Sequence, residues 1–400
     1  MTAVRAATVQ APRAIDAELA SELEKQAAWI SPRVRDVRVD GDGRTVRFAV
    51  EGEGDAESER QKVARFVADM TERHRPTPRK VVARRVRAGR AVVTDAFGEL
   101  EKRGWVVPIA PGRVSLRGPA LAVVRALDED CARVARDSFG ATEEAHPALA
   151  PTALLARCGW FASFPHAASF VAHLAEDYDA IERFRAANAG RVELAEPGRD
   201  ALAPMDACLL PALCYAVYAA RERTALGPDG AVVTCAGRCF RYESRNLAGL
   251  ERLWEFGMRE IVFMGDDERV AAGRRAALQA ALDQLDRWDL EGTVETANDP
   301  FFPAARAGRA FWQRSAERKF ELRLTIGRDD AGAARSVACA SFNVHDRFFG
   351  TAFSIAAEGG AAASSGCVGW GLERWMLACF AQHGFDPEAW PSWLRDRVFR

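Results

Sequence analysis

The sequence predicts an α+β protein in which an antiparallel β-sheet is flanked by helices and preceded by a small α+β module. Two observations carry this prediction. In the second half of the chain, strand-like segments follow one another instead of alternating regularly with helices, which disfavours a doubly wound parallel sheet. Before residue 115 the pattern is helix, hairpin and helix, and its character changes at Gly118. We therefore expect a module at 1–115 and a larger domain at 116–400.

The composition is that of an ordinary globular chain, with 400 residues, 48% hydrophobic and 28% charged, and a net charge of −1. This balance gives no field that would select nucleic acid or a membrane. The N-terminus lacks the apolar core of a signal peptide, and no apolar run approaches the roughly 20 residues that span a bilayer. Nine cysteines without CxxC spacing are typical of free thiols or metal ligands in a reducing cytoplasm, where we expect the protein.

The elements of the module follow from apolar periodicity and from turn residues. Alternating strands around Asp40–Gly43 predict a hairpin, and Pro76 and Pro78 end a helix. In chain order we expect a helix at 14–30, a hairpin at 34–52, a helix at 59–75, a short basic strand and turn at 79–90, a helix at 93–104 and a hairpin at 105–117.

The larger domain opens with a helix predicted from Pro119 to about Ser138, followed by an extended piece that carries Pro147. Residues 163–189 have a helical pattern. We expect strands at 231–244, 259–265, 320–327, 336–346 and 348–358. A glycine-rich turn and a helix complete the domain.

The glycine-rich run SSGCVGWGLERW (364–375) does not fit a dinucleotide fingerprint, because that motif opens a βαβ unit and this run lies near the C-terminus. We interpret its glycines as the passage from a strand into a helix with close backbone approach to a ligand. Arg374 then lies in the first helical turn, where the helix dipole disfavours a cation. It either pairs with Glu373 or faces a polyphosphate.

A second constellation favours the polyphosphate. Phe240-Arg241-x-Glu243 ends a strand and is followed by a polar loop and a returning strand, and Gly369-x-Gly371-x-Glu373-Arg374 stands far downstream. In this order the two elements resemble motifs 2 and 3 of class II aminoacyl-tRNA synthetases. The resemblance implies the antiparallel sheet of class II synthetases. Pro147 resembles the motif 1 proline at the dimer interface of that class, which implies a homodimer.

Two branches of this class share further segments with residues 118–400. RYESRNLAGLERLWEF and SGCVGWGLERW with HGFDPEAWP resemble the zinc-dependent, methanogen-type seryl-tRNA synthetases. LLPALCYAVY, ETANDPFF, KFELRL and SFNVHDRFFGTAF look more like the amino acid:carrier protein ligases, which load a small amino acid onto the phosphopantetheine thiol of a carrier protein. The first 115 residues match only loosely, as a shrunken version of the synthetases' N-terminal domain.

The resemblance implies a zinc ion held by Cys214, Glu260 and Cys367, with its open position taken by the substrate's α-amino group. Two thiolates and a carboxylate suit zinc, and three protein ligands leave the fourth site free. The amine must be neutral, so binding should weaken as the pH falls. Cys208 is an alternative to Cys214 on composition alone, and His345 is a candidate contact near the site.

The resemblance also assigns an ATP site. Arg241 would hold the α-phosphate and Arg374 the γ-phosphate, since the planar donors of arginine engage phosphate oxygens bidentately. Phe256 would stack on adenine, and Glu243 would face the adenine or the substrate's amino group. Asn343 would lie near the metal and the amino acid, and Mg²⁺ should bridge the phosphates.

One departure from the family pattern concerns the Mg²⁺ ligands. Methanogen-type synthetases carry an acidic residue three positions before the asparagine that corresponds to Asn343, and this chain has Ala340 there. Glu321 and Glu358 are the candidate replacements. Because zinc contacts the amine and not the side chain, we expect a small amino acid such as glycine, alanine or serine as the substrate, without a choice among them.

The acceptor has alternatives. LCYAVY and ANDPFF favour a carrier protein, whereas the N-terminal module and the 19-residue spacing of Arg241 and Glu260 favour tRNA. The basic stretch 73–90, with eight Lys/Arg and no acid, fits a carrier protein dock, an RNA-binding face or a solvated edge strand. We expect aminoacyl-adenylate formation and transfer to a carrier protein, with tRNA as the alternative and a catalytically silent amino-acid-binding paralogue as the third possibility.

Overall fold

The computed structural model describes residues 4–72, 74–87, 92–195, 198, 201–302, 313–328 and 332–399. The strands are β1 (Val4–Gln10), β2 (Val34–Val39), β3 (Thr45–Glu51), β4 (Val81–Arg85), β5 (Val106–Ala110), β6 (Arg113–Leu116), β7 (Thr142–Glu144), β8 (Leu149–Pro151), β9 (Phe170–Val171), β10 (Ala207–Leu209), β11 (Ala231–Phe240), β12 (Glu255–Gly265), β13 (Gly292–Thr296), β14 (Lys319–Arg328), β15 (Ala334–Asp346) and β16 (Ser364–Gly371).

Helices cover both the N-terminal layer and the larger sheet. They are α1 (Ala17–Gln26), α2 (Ala56–Glu72), α3 (Ala96–Lys102), α4 (Gly118–Phe139), α5 (Thr152–Arg157), α6 (Trp160–Ser163), α7 (Tyr178–Asn188), α8 (Cys214–Ala219), α9 (Asp267–Trp288), α10 (Phe348–Phe353), α11 (Leu372–His383) and α12 (Ser392–Val398). Among the described residues, none of these helices has the length and apolarity that crossing a membrane requires.

An eight-stranded sheet with the order β4-β13-β14-β15-β16-β12-β11-β7 forms the centre of the molecule. Its neighbours pair antiparallel, except β7 and β11, which are parallel. Helices α4, α9 and α11 pack on one side, where Trp288, Trp370 and Trp375 are fully buried in the main core. The predicted antiparallel sheet flanked by helices is confirmed.

The N-terminal layer has a separate core. Its sheet has the order β1-β3-β2, and buried residues of α1 and α2, among them Leu19, Leu23 and Val63, pack against it. Asp16 begins α1 by accepting the Leu19 N–H at 2.8 Å, as an N-cap does. The predicted hairpin is confirmed as β2 and β3, and β1 is an additional strand.

The packing changes earlier in the chain than the predicted boundary at residue 115. The N-terminal core ends at Met70, whereas Ala96, Leu100 and Val106 belong to the main core. Strand β4, placed with the module by sequence, pairs with β13 at the edge of the central sheet. The division into two domains stays a prediction, and in this chain the change of core falls before β4.

Two segments predicted from periodicity are wrong. Residues 348–358 contain helix α10 instead of a strand, because Phe349 and Phe353, four positions apart, are buried on one helical face. Residues 163–189 do not form one helix: after the last residue of α6 and a 3-10 turn at Pro165–Ala167, the segment is helical in α7, where Asp177 accepts the Ala180 N–H. Earlier in that segment β9 pairs with β10, so sheet pairing overrides the helical pattern.

The glycine-rich run is also different from the expected turn, since SSGCVGWG is itself strand β16 near the middle of the central sheet. A Cβ on Gly366 would lie 2.6 Å from the Asn343 carbonyl oxygen of β15 and 3.0 Å from Val270. The glycine at this position therefore allows close packing inside the sheet. The expected passage from a strand into a helix is found within the same run, where α11 begins at Leu372 directly after β16.

Candidate active site

The structure brings Cys214, Glu260 and Cys367 together in the interior. One ligand atom from each lies within 4.8 Å of the others, and all three residues are buried. Within the part of the chain that the structure describes, this is the group with metal-ligand geometry. Cys208, the alternative by composition, lies on β10 in another cluster.

Sheet register explains how distant residues meet. Glu260 pairs with Gly369 across β12 and β16, and Asn343 pairs with Cys367 across β15 and β16. Residues opposite each other, and those two apart on one strand, share a face. Glu260, Cys367 and Asn343 therefore project from the same face, over which the first residue of α8, Cys214, is placed.

Glu260 also fixes the start of α8. Its carboxylate accepts the N–H groups of Leu213 at 3.2 Å and Cys214 at 3.0 Å. Burial and the neighbouring Cys367 raise the pKa of Glu260 to about 8, against a usual value near 4.5. A carboxylate at this depth needs a positive partner, and the donor set of two sulfurs and one carboxylate fits zinc.

The two thiols differ in their surroundings. A hydrogen bond from the Cys214 thiol lowers the pKa of Cys367 and raises that of Cys214. Cys367 is further contacted by His345 Nε2 at 3.4 Å and Asn343 Nδ2 at 3.6 Å. Both side chains thus lie against Cys367, one of the three candidate metal ligands, and their roles stay predictions.

Two cavities adjoin at Arg241. The first, which we call the amino-acid cavity after the substrate that the sequence analysis expects there, measures about 270 Å³ and is lined by the three candidate metal ligands and Asn343. The second, the nucleotide cavity, measures about 100 Å³ and is lined by Phe256, Glu321 and Arg374. Arg241 and Glu243 line both.

A backbone carbonyl group and an aromatic ring orient the Arg241 side chain. Its Nε donates to the Pro211 carbonyl at 3.0 Å, and its guanidinium carbon lies 5.3 Å from the centre of the Phe256 ring. Glu243 forms an ion pair with Arg252, which also lines the amino-acid cavity. The four side chains predicted for ATP binding therefore all line the nucleotide cavity, and two of them, Arg241 and Glu243, also line the amino-acid cavity.

Arg374 is held by carbonyl oxygens. Its Nε donates to Glu251 O at 2.8 Å and its Nη1 to Ala338 O at 3.1 Å. Glu373, the alternative partner, instead pairs with Arg238 at 2.8 Å and accepts the Gly257 N–H. Of the two interpretations of Arg374, the structure thus favours the one in which its guanidinium faces a ligand cavity.

The two acidic candidates for Mg²⁺ are placed differently. Glu321 lines the nucleotide cavity, whereas Glu358 is exposed in a turn after α10 and is not among the cavity residues that the structure describes. Glu358 is therefore not positioned for this site. Glu321 lies 3.1 Å from the Lys319 ammonium.

Sequence reasoning missed a partly buried ion pair that lines the amino-acid cavity. Asp299 pairs with Lys319, and Gln313 Nε2 donates to Asp299 at 2.7 Å. Burial acts to raise the pKa of Asp299, but Lys319 and Gln313 outweigh it and hold that pKa below its usual value. Asp299 lies in the segment ETANDPFF and Lys319 in KFELRL. The sequence analysis thus identified both segments but assigned no role to either residue.

The basic stretch contributes mainly to structure. Four of its side chains pair with acids of the larger domain: Arg79 with Glu295, Lys80 with Glu317, Arg85 with Asp286 and Arg87 with Asp289. Strand β4 is an edge strand of the central sheet, which agrees with the edge-strand interpretation, and the two docking interpretations stay predictions. Residues 73 and 88–90 lie outside the described residues.

Comparison with known proteins supports the fold and the class of enzyme. No protein-family model matches the chain. It is 34% identical over 251 residues to amino acid–[acyl-carrier-protein] ligase 1 of Bradyrhizobium diazoefficiens, covering 62% of this chain and 74% of the relative. It is 27% identical over 328 residues to a type-2 serine–tRNA ligase of Methanopyrus kandleri, covering 76% of this chain and 60% of that protein.

Solved structures show the same fold. M. kandleri SerRS, crystallised in complex with A. aeolicus tRNASec, superposes with a TM-score of 0.71 at 24% identity, covering 99% of this chain and 77% of that one. A cytoplasmic serine–tRNA ligase of Naegleria fowleri, in complex with AMP, gives a TM-score of 0.60 at 11% identity over 86% of this chain and 69% of its own. Fold and site define a ligase of the class II aminoacyl-tRNA synthetase type. Within that class, the chain belongs to the family of amino acid–[acyl-carrier-protein] ligases.

Proposed function

We propose that this ligase activates a small amino acid with ATP and transfers it to the phosphopantetheine thiol of a carrier protein. The observation that carries the proposal is the junction at Arg241, which separates a cavity with three metal-ligand side chains from a cavity with the nucleotide-binding set. Carbonyl activation requires both substrates side by side, and such proximity supplies much of the rate.

Cys214, Glu260 and Cys367 are the residues that would hold zinc. When bound there, zinc supplies an open coordination position for the α-amino group of the substrate. Asn343 lies on the same sheet face and limits the space beside the amino acid. Together these residues select a free α-amino acid and orient its carboxylate toward Arg241.

In the first step, a carboxylate oxygen of the amino acid attacks the α-phosphorus of ATP, and the bond to pyrophosphate breaks. Arg241 stabilises the charge at the α-phosphate, and Arg374 binds the γ-phosphate. Phe256 stacks on adenine, with Glu243 beside it. Glu321, which lines the nucleotide cavity, is the carboxylate that would hold Mg²⁺, and the ion would offset the negative charge of the phosphates.

In the second step, the acceptor thiol attacks the carbonyl carbon of the adenylate, the mixed-anhydride bond breaks, and AMP leaves. The 34% identity to a carrier protein ligase supports this acceptor.

Transfer to tRNA is the second candidate function. The observation that favours it is the superposition of 99% of this chain on M. kandleri SerRS. The catalytically silent paralogue is less compatible with the site, because both arginines are in place at their cavities.

The assembly we propose is a homodimer in the cytoplasm. Pro147 is exposed between β7, an edge strand of the central sheet, and β8. All nine cysteines fall in the described residues and are free, which suits a reducing compartment.

The function is tested by a two-part assay. ATP–pyrophosphate exchange is measured with pooled glycine, alanine and serine, and the labelled amino acids are then offered phosphopantetheinylated carrier proteins in one tube and total tRNA in the other. We expect exchange and thiol-labile label on the carrier protein. Arg241→Ala should abolish exchange and leave the zinc content unchanged, whereas the exposed Arg397→Ala should leave both intact. Label on tRNA alone would contradict the proposed acceptor.

A further inference from the structure

The amino-acid cavity has an outer wall that does not come from the catalytic sheet. Glu22, Lys25, Gln26 and Trp29, all from α1 and the turn after it, line this cavity together with the metal-ligand side chains. The N-terminal layer, residues 4–72, therefore forms part of the site itself. The role of this layer is not accounted for by the activation chemistry, which uses residues of the larger domain.

The wall is fastened to both sides of the cavity. On one side, Asn246 Nδ2 donates to Lys25 O at 2.7 Å, and Arg245 Nη1 donates to Val34 O at 2.7 Å, both from the loop after Arg241. On the other side, Gln26 Nε2 donates to Phe301 O at 3.1 Å.

An ion pair also attaches α1 to the larger domain, because Arg314 Nη1 lies 3.1 Å from the Glu18 carboxylate. The buried Gln26 and Arg314 make the attachment specific, because each would lose partners if the layer moved away. The position of α1 over the cavity is thus fixed by hydrogen bonds from two separate segments of the larger domain.

Trp29 forms an aromatic rim at this wall. Its ring meets His166 edge-on at 5.0 Å and Tyr242 edge-on at 5.6 Å between centroids, and Tyr242 directly follows Arg241 in the chain. Its side chain is partly exposed, so one surface of the indole faces the cavity. A rigid, amphipathic rim of this kind suits a flexible organic arm that carries amides.

Among the described residues, the order of groups along the two cavities leaves one approach for the acceptor. The metal-ligand side chains occupy the floor of the amino-acid cavity, and the nucleotide cavity extends beyond Arg241 on the other side. With an adenylate bound across Arg241, the free space that reaches its carbonyl carbon is the part of the cavity bordered by Trp29 and His166.

We propose that the N-terminal layer forms the entrance for the thiol-ended arm of the acceptor, with Trp29 as its positioning residue. The inference rests on the proposed function. The sulfur of the arm passes Trp29, forms a bond to the carbonyl carbon and displaces AMP, which leaves with the electron pair of the anhydride bond, while the thiol proton passes to water. Trp29 contacts the arm and takes no part in activation.

The test compares Trp29→Ala and Trp29→Phe with Tyr178→Ala, in which an exposed aromatic ring outside both cavities is truncated. ATP–pyrophosphate exchange reports activation, and thioester formation on free pantetheine and on phosphopantetheinylated carrier protein reports transfer. For Trp29→Ala we expect the KM for both thiols to rise about tenfold, several times more than any change in pyrophosphate exchange. Trp29→Phe should restore most of the transfer, and Tyr178→Ala should match wild type.

Two results would overturn the inference alone: transfer by Trp29→Ala equal to that of wild type, or a fall in exchange by the same factor as transfer. Circular dichroism and thermal melting identify a variant that has lost its fold. If Trp29→Ala is such a variant, Trp29→Leu, which keeps an apolar side chain without the ring, decides: a raised KM for both thiols is expected, and a wild-type KM would overturn the inference. A wild-type enzyme that exchanges pyrophosphate but loads neither thiol would instead overturn the proposed acceptor, and this inference with it.

Discussion

Among the three candidate metal ligands, Glu260 has the surroundings that should most strongly affect metal binding. Burial and the Cys367 sulfur raise its pKa to about 8, and a hydrogen bond to Cys367 raises the pKa of Cys214. Without a metal, both groups therefore retain protons near neutral pH. Zinc requires the carboxylate and the thiolates, so its binding must displace these protons.

Zinc affinity should consequently increase with pH. For each proton displaced, raising the pH by one unit below the pKa of the group tightens binding about tenfold. We expect at least this slope between about pH 6.5 and 8, measured by competition with a chromophoric chelator. Glu260→Gln should weaken binding and flatten the slope, whereas Cys379→Ser, away from the triad, should not change the slope. An affinity independent of pH would contradict the proton count.

Arg374 illustrates how orientation limits substitution. Two of its donors are occupied by the carbonyl oxygens of Glu251 and Ala338, which sets the plane of the guanidinium. A lysine cannot reproduce this fork, because its ammonium is a point charge on a flexible stem. We expect Arg374→Lys to lower the pyrophosphate exchange rate by about a hundredfold, comparable with the loss of one strong charge-stabilising contact. The exposed Arg60→Lys should exchange at the wild-type rate, and an equal rate for Arg374→Lys would remove Arg374 from the nucleotide site.

At the scale of elements, the sequence predicted correctly those helices and strands whose structure depends on residues close together in the chain. The hairpin of β2 and β3 has turn residues between alternating strands, and α4 has a long apolar face, so both were expected. In contrast, α10 and β9 depend on distant partners, the main sheet and β10. Their periodicity alone indicated the wrong structure, since tertiary contacts override short apolar patterns.

The residues of the candidate site also differ in how far the sequence could predict them. The metal triad could be named only by resemblance, because its members come from α8, β12 and β16 and share no local pattern. Trp29 was not foreseen, since its role depends on how the N-terminal layer packs over the larger domain. The order of strands and the placement of that layer are set by long-range pairing, which single-sequence patterns do not contain.

Strand β16 is the element in which fold and site meet. A methyl group on Gly366 would lie 2.6 Å from the Asn343 carbonyl oxygen, which belongs to the backbone and cannot turn aside. We expect Gly366→Ala to lower the free energy of unfolding by about 2 kcal/mol, in the range of overpacked core substitutions. The same variant should bind zinc more weakly, because Cys367 is the next residue.

Urea denaturation and zinc titration check this prediction at β16. Gly227→Ala is the matched control, since a Cβ at that position meets no atom within 4 Å. Its unfolding midpoint should stay at or slightly above that of wild type, because alanine restricts the unfolded chain. An unchanged midpoint for Gly366→Ala would show that β15 and β16 separate easily, contrary to the tight pairing described above.

At the scale of the whole molecule, exposed apolar side chains surround the small sheet beside Pro147. Leu149 is 48% and Phe170 51% exposed, and they lie on β8 and β9 at its two outer strands. Strand β7, just before Pro147, is an edge of the central sheet and presents unpaired backbone groups. A twofold contact of this region would cover both features at once, since the same patch meets its own copy.

We therefore expect the wild-type protein to sediment as a dimer at micromolar concentration. Leu149→Asp should weaken the dimer at least about tenfold, because each twofold contact would bury the new carboxylate twice. Val192→Asp is the control, since Val192 is fully exposed on a different segment, and it should leave the sedimentation coefficient unchanged. Sedimentation velocity over a hundredfold dilution separates the cases. A wild-type monomer throughout that range would exclude the dimer, whereas equal weakening by both variants would place the contact away from Pro147.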